Sequence, residues 1–187
     1  KGSVVRFPAA FGLASKSRAR FGRLVSELQG KRVLVVDDIV NTGEILADTL
    51  ASMSFEVAVA ATGEEALVAL DRADDDGRPF DLVLADVRLS DGDGFEVLAY
   101  CKKHYPQVTV VLITGYATVE TGIEALRAGA FDLLTKPLID DELSMAIDRA
   151  LHQREVIAEN QKLKAQLDLR FGLENIVGHD HRMQRVF

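Results

Sequence analysis

The 187-residue sequence contains a single cysteine, Cys101, so no disulfide can form within the chain. Its few histidines form no cluster with cysteine at the spacing of a zinc site. No hydrophobic run approaches the roughly 20 residues of a membrane span, and the first residues lack the apolar stretch of a secretory signal. The lack of paired cysteines, of a membrane-span run and of a signal sequence argues against a disulfide-stabilised secreted domain and a membrane protein. It predicts a cytoplasmic protein.

Charge is unevenly distributed along the chain, which has a formal net charge of −7. Residues 1–32 are strongly basic, residues 33–150 carry 23 acidic and eight basic side chains, and residues 151–187 are nearly neutral. An acidic central region argues against a surface that binds a phosphate backbone. No helix pair typical of a DNA-binding motif is visible, so we expect no direct DNA contact from these residues.

Five short apolar runs, several rich in β-branched residues, alternate with segments of helical spacing. Runs of this length and composition are typical of strands that are buried on both faces. The predicted strands are 32–36, 55–60, 81–85, 108–113 and 131–135, and the predicted helices are 45–53, 64–72, 94–104, 119–128 and one that begins near residue 140. The alternation predicts an α/β fold with a five-stranded parallel sheet and a long C-terminal helix.

Polar residues stand at the ends of four of these strands. Asp37 and Asp38 follow the first strand, and Asp86 follows the third. Thr114 and Lys136 stand at the ends of the fourth and fifth strands. Ligands of such sheets bind beyond the carboxyl ends of the strands, so we expect these five side chains to meet at one edge.

The chemistry of this predicted edge points to a cation and a phosphate. Three carboxylates repel one another unless a cation lies between them, and oxygen ligands without His or Cys favour Mg²⁺. An aspartate can also act as a nucleophile and accept a phosphoryl group. We therefore predict that Asp86 is the phosphoacceptor, that Asp37, Asp38 and Asp86 hold Mg²⁺, and that Thr114 and Lys136 contact the phosphoryl oxygens.

Residues 31–150 resemble the receiver domain of two-component response regulators. The resemblance is carried, in order, by VLVVDD ending at Asp38, FEVAVAATGEEAL (55–67), DLVLADVRLSDGDGFEVL (81–98), VVLITGYA (110–117) and GAFDLLTKPL (129–138). It implies a flavodoxin-like fold, Mg²⁺-dependent phosphorylation of Asp86 by a partner histidine kinase, and a response at the face around the fourth helix and fifth strand.

Several positions agree with or depart from that family's pattern. Gly94 matches the family's loop glycine. Ser90 stands where proline is frequent, and Leu133 replaces the switch aromatic residue. Arg88 and Tyr116 occupy variable positions at the rim of the site, where the resemblance implies an influence on the lifetime of the phosphoryl group. The nearby Asp91 and Asp93 are expected to be solvated.

A second resemblance concerns residues 33–46 (VLVVDDIVNTGEIL), which are similar to the phosphoribosyl-pyrophosphate loop of phosphoribosyltransferases. Asp37, Asp38, Thr42 and Gly43 fit that pattern, which would make the protein a transferase. Glu44 places a negative charge beside the would-be phosphate site, where hydroxyl groups would serve better. The rest of the sequence matches a receiver and shows no other motif of a phosphoribosyltransferase, so the receiver remains the preferred interpretation.

The last helix is predicted to continue to about residue 169, because residues 140–169 contain no Gly or Pro and are rich in good helix formers. Val156, Asn160, Leu163 and Leu167 follow the 4-3-4 spacing of a coiled-coil seam. We expect residues 151–170 to form a helical linker that supports a homodimer together with the receiver. A single amphipathic helix that packs on the receiver is the alternative.

The two ends of the chain point to different parent proteins. Residues 171–187 resemble the opening of the ATPase domain in sigma-54-dependent, NtrC-type activators, although no G-x-x-x-x-G-K-[ST] loop is present, so no ATPase activity is expected from this chain. Residues 1–30 form a basic leader whose first ten residues faintly resemble the end of a histidine-kinase domain. A receiver from a hybrid histidine kinase is therefore the alternative.

Overall fold

The computed structural model describes residues 30–176, and it describes the side chains of this range except those of residues 155, 158 and 168–176. The strands are β1 (Arg32–Val36), β2 (Glu56–Ala60), β3 (Leu82–Asp86), β4 (Thr109–Thr114) and β5 (Asp132–Thr135). The helices are α1 (Val40–Ser52), α2 (Gly63–Asp75), α3 (Gly94–His104), α4 (Val119–Ala128) and α5 (Asp140–Ile176). The predicted basic leader lies outside the described residues, apart from Gly30, and so does the ATPase-like segment from residue 177 onwards.

All five strands form one parallel sheet in the order β2-β1-β3-β4-β5. The predicted α/β fold with a five-stranded parallel sheet is confirmed. Strand order reverses between β1 and β3, because the chain first adds β2 on one side of β1 and then places β3 on the other. A crevice beyond the carboxyl ends of the strands is expected where the order reverses.

Helices cover both faces of the sheet, so two hydrophobic clusters form. Successive residues of a strand point to opposite faces, and the strand residues are therefore shared between the clusters. One cluster combines Leu34, Val36, Val83, Ala85 and Leu112 with buried residues of α2, α3 and α4. The other combines Val33, Val35, Leu82, Leu84, Val111 and Ile113 with buried residues of α1 and α5. This burial on both faces explains why the strands appear in the sequence as continuous apolar runs.

Helix α1 begins at Val40, five residues before the predicted start. Thr42 and Gly43 precede the predicted helix and would then belong to the loop after β1. Both backbone N–H groups instead donate to the carbonyl oxygen of Ile39, as in a first helical turn. Gly43 allows α1 to lie close to the sheet, since a Cβ at this residue would be 3.3 Å from Val59 Cγ1.

Helix α5 extends to Ile176, beyond the predicted end near residue 169. Its first turns are buried against the sheet as far as Leu151. Just beyond this buried part, the Arg154 guanidinium pairs with the carboxylate of Asp81, which precedes β3. Val156, Leu163 and Leu167 are each about half exposed, at 44%, 51% and 51%. Within the described part of the chain, no helix is both long and apolar enough to cross a membrane.

Candidate functional site

The carboxyl edge of the sheet brings together side chains from three strand ends. Asp37 directly follows β1, Asp86 is the last residue of β3, and Lys136 directly follows β5. The strands are aligned so that Val36 pairs with Ala85, and Asp86 pairs with Ile113. This register places residues that are far apart in the sequence at one edge, as expected from their positions after the strands.

Three carboxylates form the acidic part of the site. Asp37, Asp38 and Asp86 each contribute a carboxylate oxygen, and these three oxygens lie within 4.8 Å of one another. Asp37 and Asp86 are only 2% and 7% exposed, whereas Asp38 is more accessible. Three negative groups at this spacing repel one another, so the cluster requires a nearby positive charge.

Lys136 supplies positive charge to this cluster. Its Nζ donates to Asp37 Oδ2 at 2.7 Å and to Asp86 Oδ2 at 2.5 Å. Burial alone would lower the pKa of Lys136, but the hydrogen bonds and charges of Asp37 and Asp86 outweigh it, and the pKa is raised. The ammonium therefore remains charged at neutral pH and joins the strand ends of β1, β3 and β5.

Backbone N–H groups orient the other oxygens of the two buried carboxylates. Asp37 Oδ1 accepts from the N–H of Ile39 at 2.9 Å, and Asp86 Oδ1 accepts from the N–H of Arg88 at 3.1 Å. Each carboxylate thus has one oxygen on a backbone donor and the other on Lys136. A carboxyl group held on both oxygens has little rotational freedom, which favours a defined geometry for chemistry.

Thr114 lies at the same edge, at the end of β4, and is 4% exposed. Its Oγ1 accepts from the N–H of Tyr116 at 3.1 Å and donates to the carbonyl oxygen of Tyr116 at 3.3 Å. The structure therefore brings the carboxylates of Asp37, Asp38 and Asp86 together and Lys136 into contact with Asp37 and Asp86, while the Thr114 hydroxyl is bound to the backbone of the following loop.

Gly94 begins helix α3 directly against the site. A Cβ added at this residue would lie 2.4 Å from the carbonyl oxygen of Asp86, and it would also approach Leu112. Because the nearest atom belongs to the backbone, no side-chain rotation could relieve the clash. Glycine is thus needed for the close approach of α3 to the end of β3.

Leu133 departs from the family pattern, whereas Arg88 and Tyr116 occupy its variable positions. Leu133 is half-buried and packs against the first hydrophobic cluster. The guanidinium carbon of Arg88 lies 4.8 Å from the centre of the Tyr116 ring, and Tyr116 is largely exposed. This cation–π contact links the loop after β3 to the loop after β4.

Asp91 and Asp93 are exposed, as predicted from the sequence, and each also accepts hydrogen bonds from the backbone at the start of a helix. Asp93 Oδ1 accepts from the N–H of Glu96 at 3.0 Å and caps helix α3. The Asp93–Glu96 spacing has the form of a capping box, which could have revealed this role. Asp91 instead accepts from the backbone at the start of α2, 27 and 28 residues away, and no local sequence pattern could have indicated that contact.

The geometry of residues 39–46 argues against the phosphoribosyltransferase alternative. Thr42 and Gly43 lie inside the first turn of α1, where their N–H groups are bonded to Ile39. They do not form the open turn that such a loop needs to surround a phosphate with free N–H groups.

The fold and site define a flavodoxin-like α/β protein with an acidic cluster and a lysine at the carboxyl ends of its parallel strands. Residues 33–148 match the model of the response regulator receiver domain family. The chain belongs to this family, and the resemblance seen in its sequence to the receivers of NtrC-type activators is confirmed.

Individual relatives agree with this assignment. The chain is 40% identical to the response regulator protein PilR of Pseudomonas aeruginosa over 129 residues, 69% of this chain and 28% of that protein. It is 37% identical to the transcriptional regulatory protein ZraR of Salmonella typhimurium over 155 residues, 82% of this chain and 33% of that protein. The chain therefore spans about a third of the length of these curated relatives.

Among solved structures, the chain is similar to a CheY-like receiver domain protein from Methanospirillum hungatei JF-1. The two share 31% sequence identity with a TM-score of 0.62, over 68% of this chain and 98% of that protein. The part of the chain that corresponds to a complete receiver is thus the part that forms the sheet and its helices.

Proposed function

We propose that this receiver accepts a phosphoryl group on Asp86 from a histidine kinase. The observation that carries the proposal is the Lys136 ammonium, which bridges the buried carboxylates of Asp37 and Asp86 within a cluster of three aspartates. Such a cluster combines a nucleophilic oxygen, ligands for a cation and a positive charge in one place. These are the requirements for in-line transfer of a phosphoryl group.

In the proposed reaction, a carboxylate oxygen of Asp86 attacks the phosphorus atom of the donor. The bond between phosphorus and the donor breaks, and its electron pair leaves with the donor, which for the kinase is a histidine imidazole. The product is an acyl phosphate on Asp86. The Lys136 ammonium would then contact the new phosphoryl oxygens instead of the unphosphorylated Asp86 carboxylate. The Thr114 hydroxyl would turn away from the backbone of Tyr116 and donate to one of these phosphoryl oxygens.

The donor set of the site fits Mg²⁺. Asp37, Asp38 and Asp86 offer three carboxylate oxygens and no His or Cys, which is the chemistry of a hard cation that retains water ligands. Bound Mg²⁺ would neutralise charge on the phosphoryl oxygens. We propose these three residues as its ligands, with Asp38, the most accessible of them, as the one whose loss disturbs the fold least.

The metal requirement can be tested with acetyl phosphate as a small phosphodonor. We expect the wild-type chain to gain one phosphoryl group in the presence of Mg²⁺ and none when EDTA replaces the metal, as measured by intact mass in acid. Asp38→Ala should require a much higher Mg²⁺ concentration for the same gain. An equal gain with EDTA, or an unchanged Mg²⁺ requirement in Asp38→Ala, would argue against the metal site.

We further propose that the phosphorylated receiver controls a sigma-54-dependent activator through a dimeric linker formed by α5. Support comes from the half-exposed stripe of Val156, Leu163 and Leu167, which includes Asn160 at a seam position. The Nδ2 of Asn160 donates to the carbonyl oxygen of Val156 in its own helix, and the amide has a second N–H and an oxygen that could bond across a seam. A receiver within a hybrid histidine kinase is the alternative, and the complete gene sequence would distinguish the two.

The linker proposal predicts a specific effect on association. Leu163→Asp would place a charge in the seam, so the dimer should weaken markedly in sedimentation velocity, while the exposed Lys162→Asp should change it little. A wild-type chain that stays monomeric at all concentrations, with and without phosphodonor, would contradict a dimeric linker.

A further inference from the structure

We propose that Asp91 is a positioning residue for the phosphoacceptor. Asp91 belongs to the loop that follows Asp86, and its carboxylate binds the start of helix α2 and so holds this loop in place. The inference rests on the proposed role of Asp86 and adds a residue to that site's machinery. Asp91 touches neither the three-aspartate cluster nor Lys136 in the contacts described above, so it would act through the loop.

The contact between Asp91 and α2 is bidentate. Asp91 Oδ1 accepts from the N–H of Gly63 at 2.9 Å, and Asp91 Oδ2 accepts from the N–H of Glu64 at 3.0 Å. These donors belong to the first turn of α2, where N–H groups have no partner within the helix and favour a negative charge. The hydrogen bonds from Glu64 and Gly63 lower the pKa of Asp91, so the carboxylate is ionised at neutral pH.

The loop itself is a narrow turn that returns to the site. Val87 N–H donates to the carbonyl oxygen of Ile113, and the N–H of Gly94 donates back to the carbonyl oxygen of Val87. Between them, Arg88 and Asp93 form an isolated antiparallel bridge. The tip of the turn, residues 90–92, is exposed, and Asp91 connects this tip to α2.

The loop also carries a donor to the phosphoacceptor. The backbone N–H of Arg88 binds Asp86 Oδ1 at 3.1 Å, which is near the long end of an ordinary hydrogen bond. A small displacement of the loop would therefore lengthen or break it. Because Arg88 is also bridged to Asp93, a loop released at its tip would transmit its motion to this donor.

A purely structural role for Asp91 can be separated from a positioning role, because α2 has a second cap. Thr62 Oγ1 accepts from the N–H of Glu65 at 3.1 Å at the same helix start, but Thr62 is not part of the loop. Thr62→Ala and Asp91→Ala both remove capping bonds from α2. Only Asp91→Ala also frees the loop.

The test compares these variants in the whole chain with acetyl phosphate and Mg²⁺, by following the phosphorylation rate through intact mass. We expect Asp91→Ala to react about tenfold more slowly than the wild type, since misplacement of a positioning group reduces rates strongly. Asp91→Asn keeps an acceptor oxygen, so its phosphorylation rate should lie between those of the wild type and Asp91→Ala. Thr62→Ala should react at nearly the wild-type rate. A wild-type rate in Asp91→Ala, or an equal loss in Thr62→Ala, would overturn the inference.

A second readout does not depend on phosphorylation. Amide hydrogen exchange should show reduced protection of the Arg88 N–H in Asp91→Ala but not in Thr62→Ala. If the wild type accepted no phosphoryl group, the proposed function would fail, and the Arg88 exchange would still decide whether Asp91 holds the loop. Unchanged Arg88 protection in Asp91→Ala would overturn the positioning role whatever the rates.

Discussion

Asp86→Ala is expected to accept no phosphoryl group from acetyl phosphate under conditions in which the wild-type chain does. The substitution removes the proposed nucleophile and one of the three proposed metal ligands at once. Asp37 and Asp38 belong to a different strand end and are the proposed ligands of the cation. Intact mass spectrometry in acid, where acyl phosphates survive, measures the result.

The variant should remain folded, which makes the loss of phosphorylation interpretable. Lys136 keeps its 2.7 Å contact to Asp37 in Asp86→Ala, so neither member of that pair is left buried without a partner. Asp75→Ala is the matched control, because Asp75 is an exposed aspartate near the end of α2. It should accept a phosphoryl group as the wild type does. A persistent adduct in Asp86→Ala would show that another residue is the acceptor.

Gly94→Ala is expected to destabilise the fold more than other glycine-to-alanine changes in the helices. Its new Cβ would lie 2.4 Å from the carbonyl oxygen of Asp86, so the end of β3 and the start of α3 must separate. Overpacking of this kind costs about 1–3 kcal/mol of unfolding free energy. Urea denaturation measures it, and phosphorylation should also slow because the strand end carries Asp86.

Gly122→Ala provides the control within the same fold. Gly122 lies inside helix α4, and a Cβ there would meet no atom within 4 Å. Alanine should therefore stabilise the protein by about 0.5–1 kcal/mol, because it lowers the conformational entropy of the unfolded chain. The two substitutions should have opposite signs. A Gly94→Ala variant as stable as the wild type would contradict the close approach of α3 to Asp86.

The candidate site could be predicted from the sequence because each of its residues stands at the end of an apolar run. Once the strands are parallel, their carboxyl ends share one edge, and Asp37, Asp86 and Lys136 are brought together by that rule. The rule fixes which residues meet but not their hydrogen bonds. The bridge from Lys136 to two carboxylates, and the bonding of Thr114 to Tyr116, depend on side-chain geometry that spacing does not encode.

The differences from prediction occur where tertiary packing outweighs local preference. The predicted helix began only at residue 45, yet Gly43 lies in α1, where the absence of a side chain allows contact with the sheet near Val59. Helix α5 passes through Gly172, although glycine costs about 1 kcal/mol in a helix interior. Asp91 binds residues 27 and 28 positions away, a contact that only the folded chain creates.

We propose that the strand ends hold one divalent ion and one phosphoryl group against Asp86. A crystal structure of the chain with Mn²⁺ and beryllofluoride, a phosphoryl mimic, tests it most directly, because Mn²⁺ is located by anomalous scattering. We predict one Mn²⁺ between the carboxylates of Asp37, Asp38 and Asp86, beryllofluoride on Asp86, and the Lys136 ammonium on a fluorine atom. Mn²⁺ bound away from these carboxylates, or a Lys136 side chain directed away from Asp86, would contradict it.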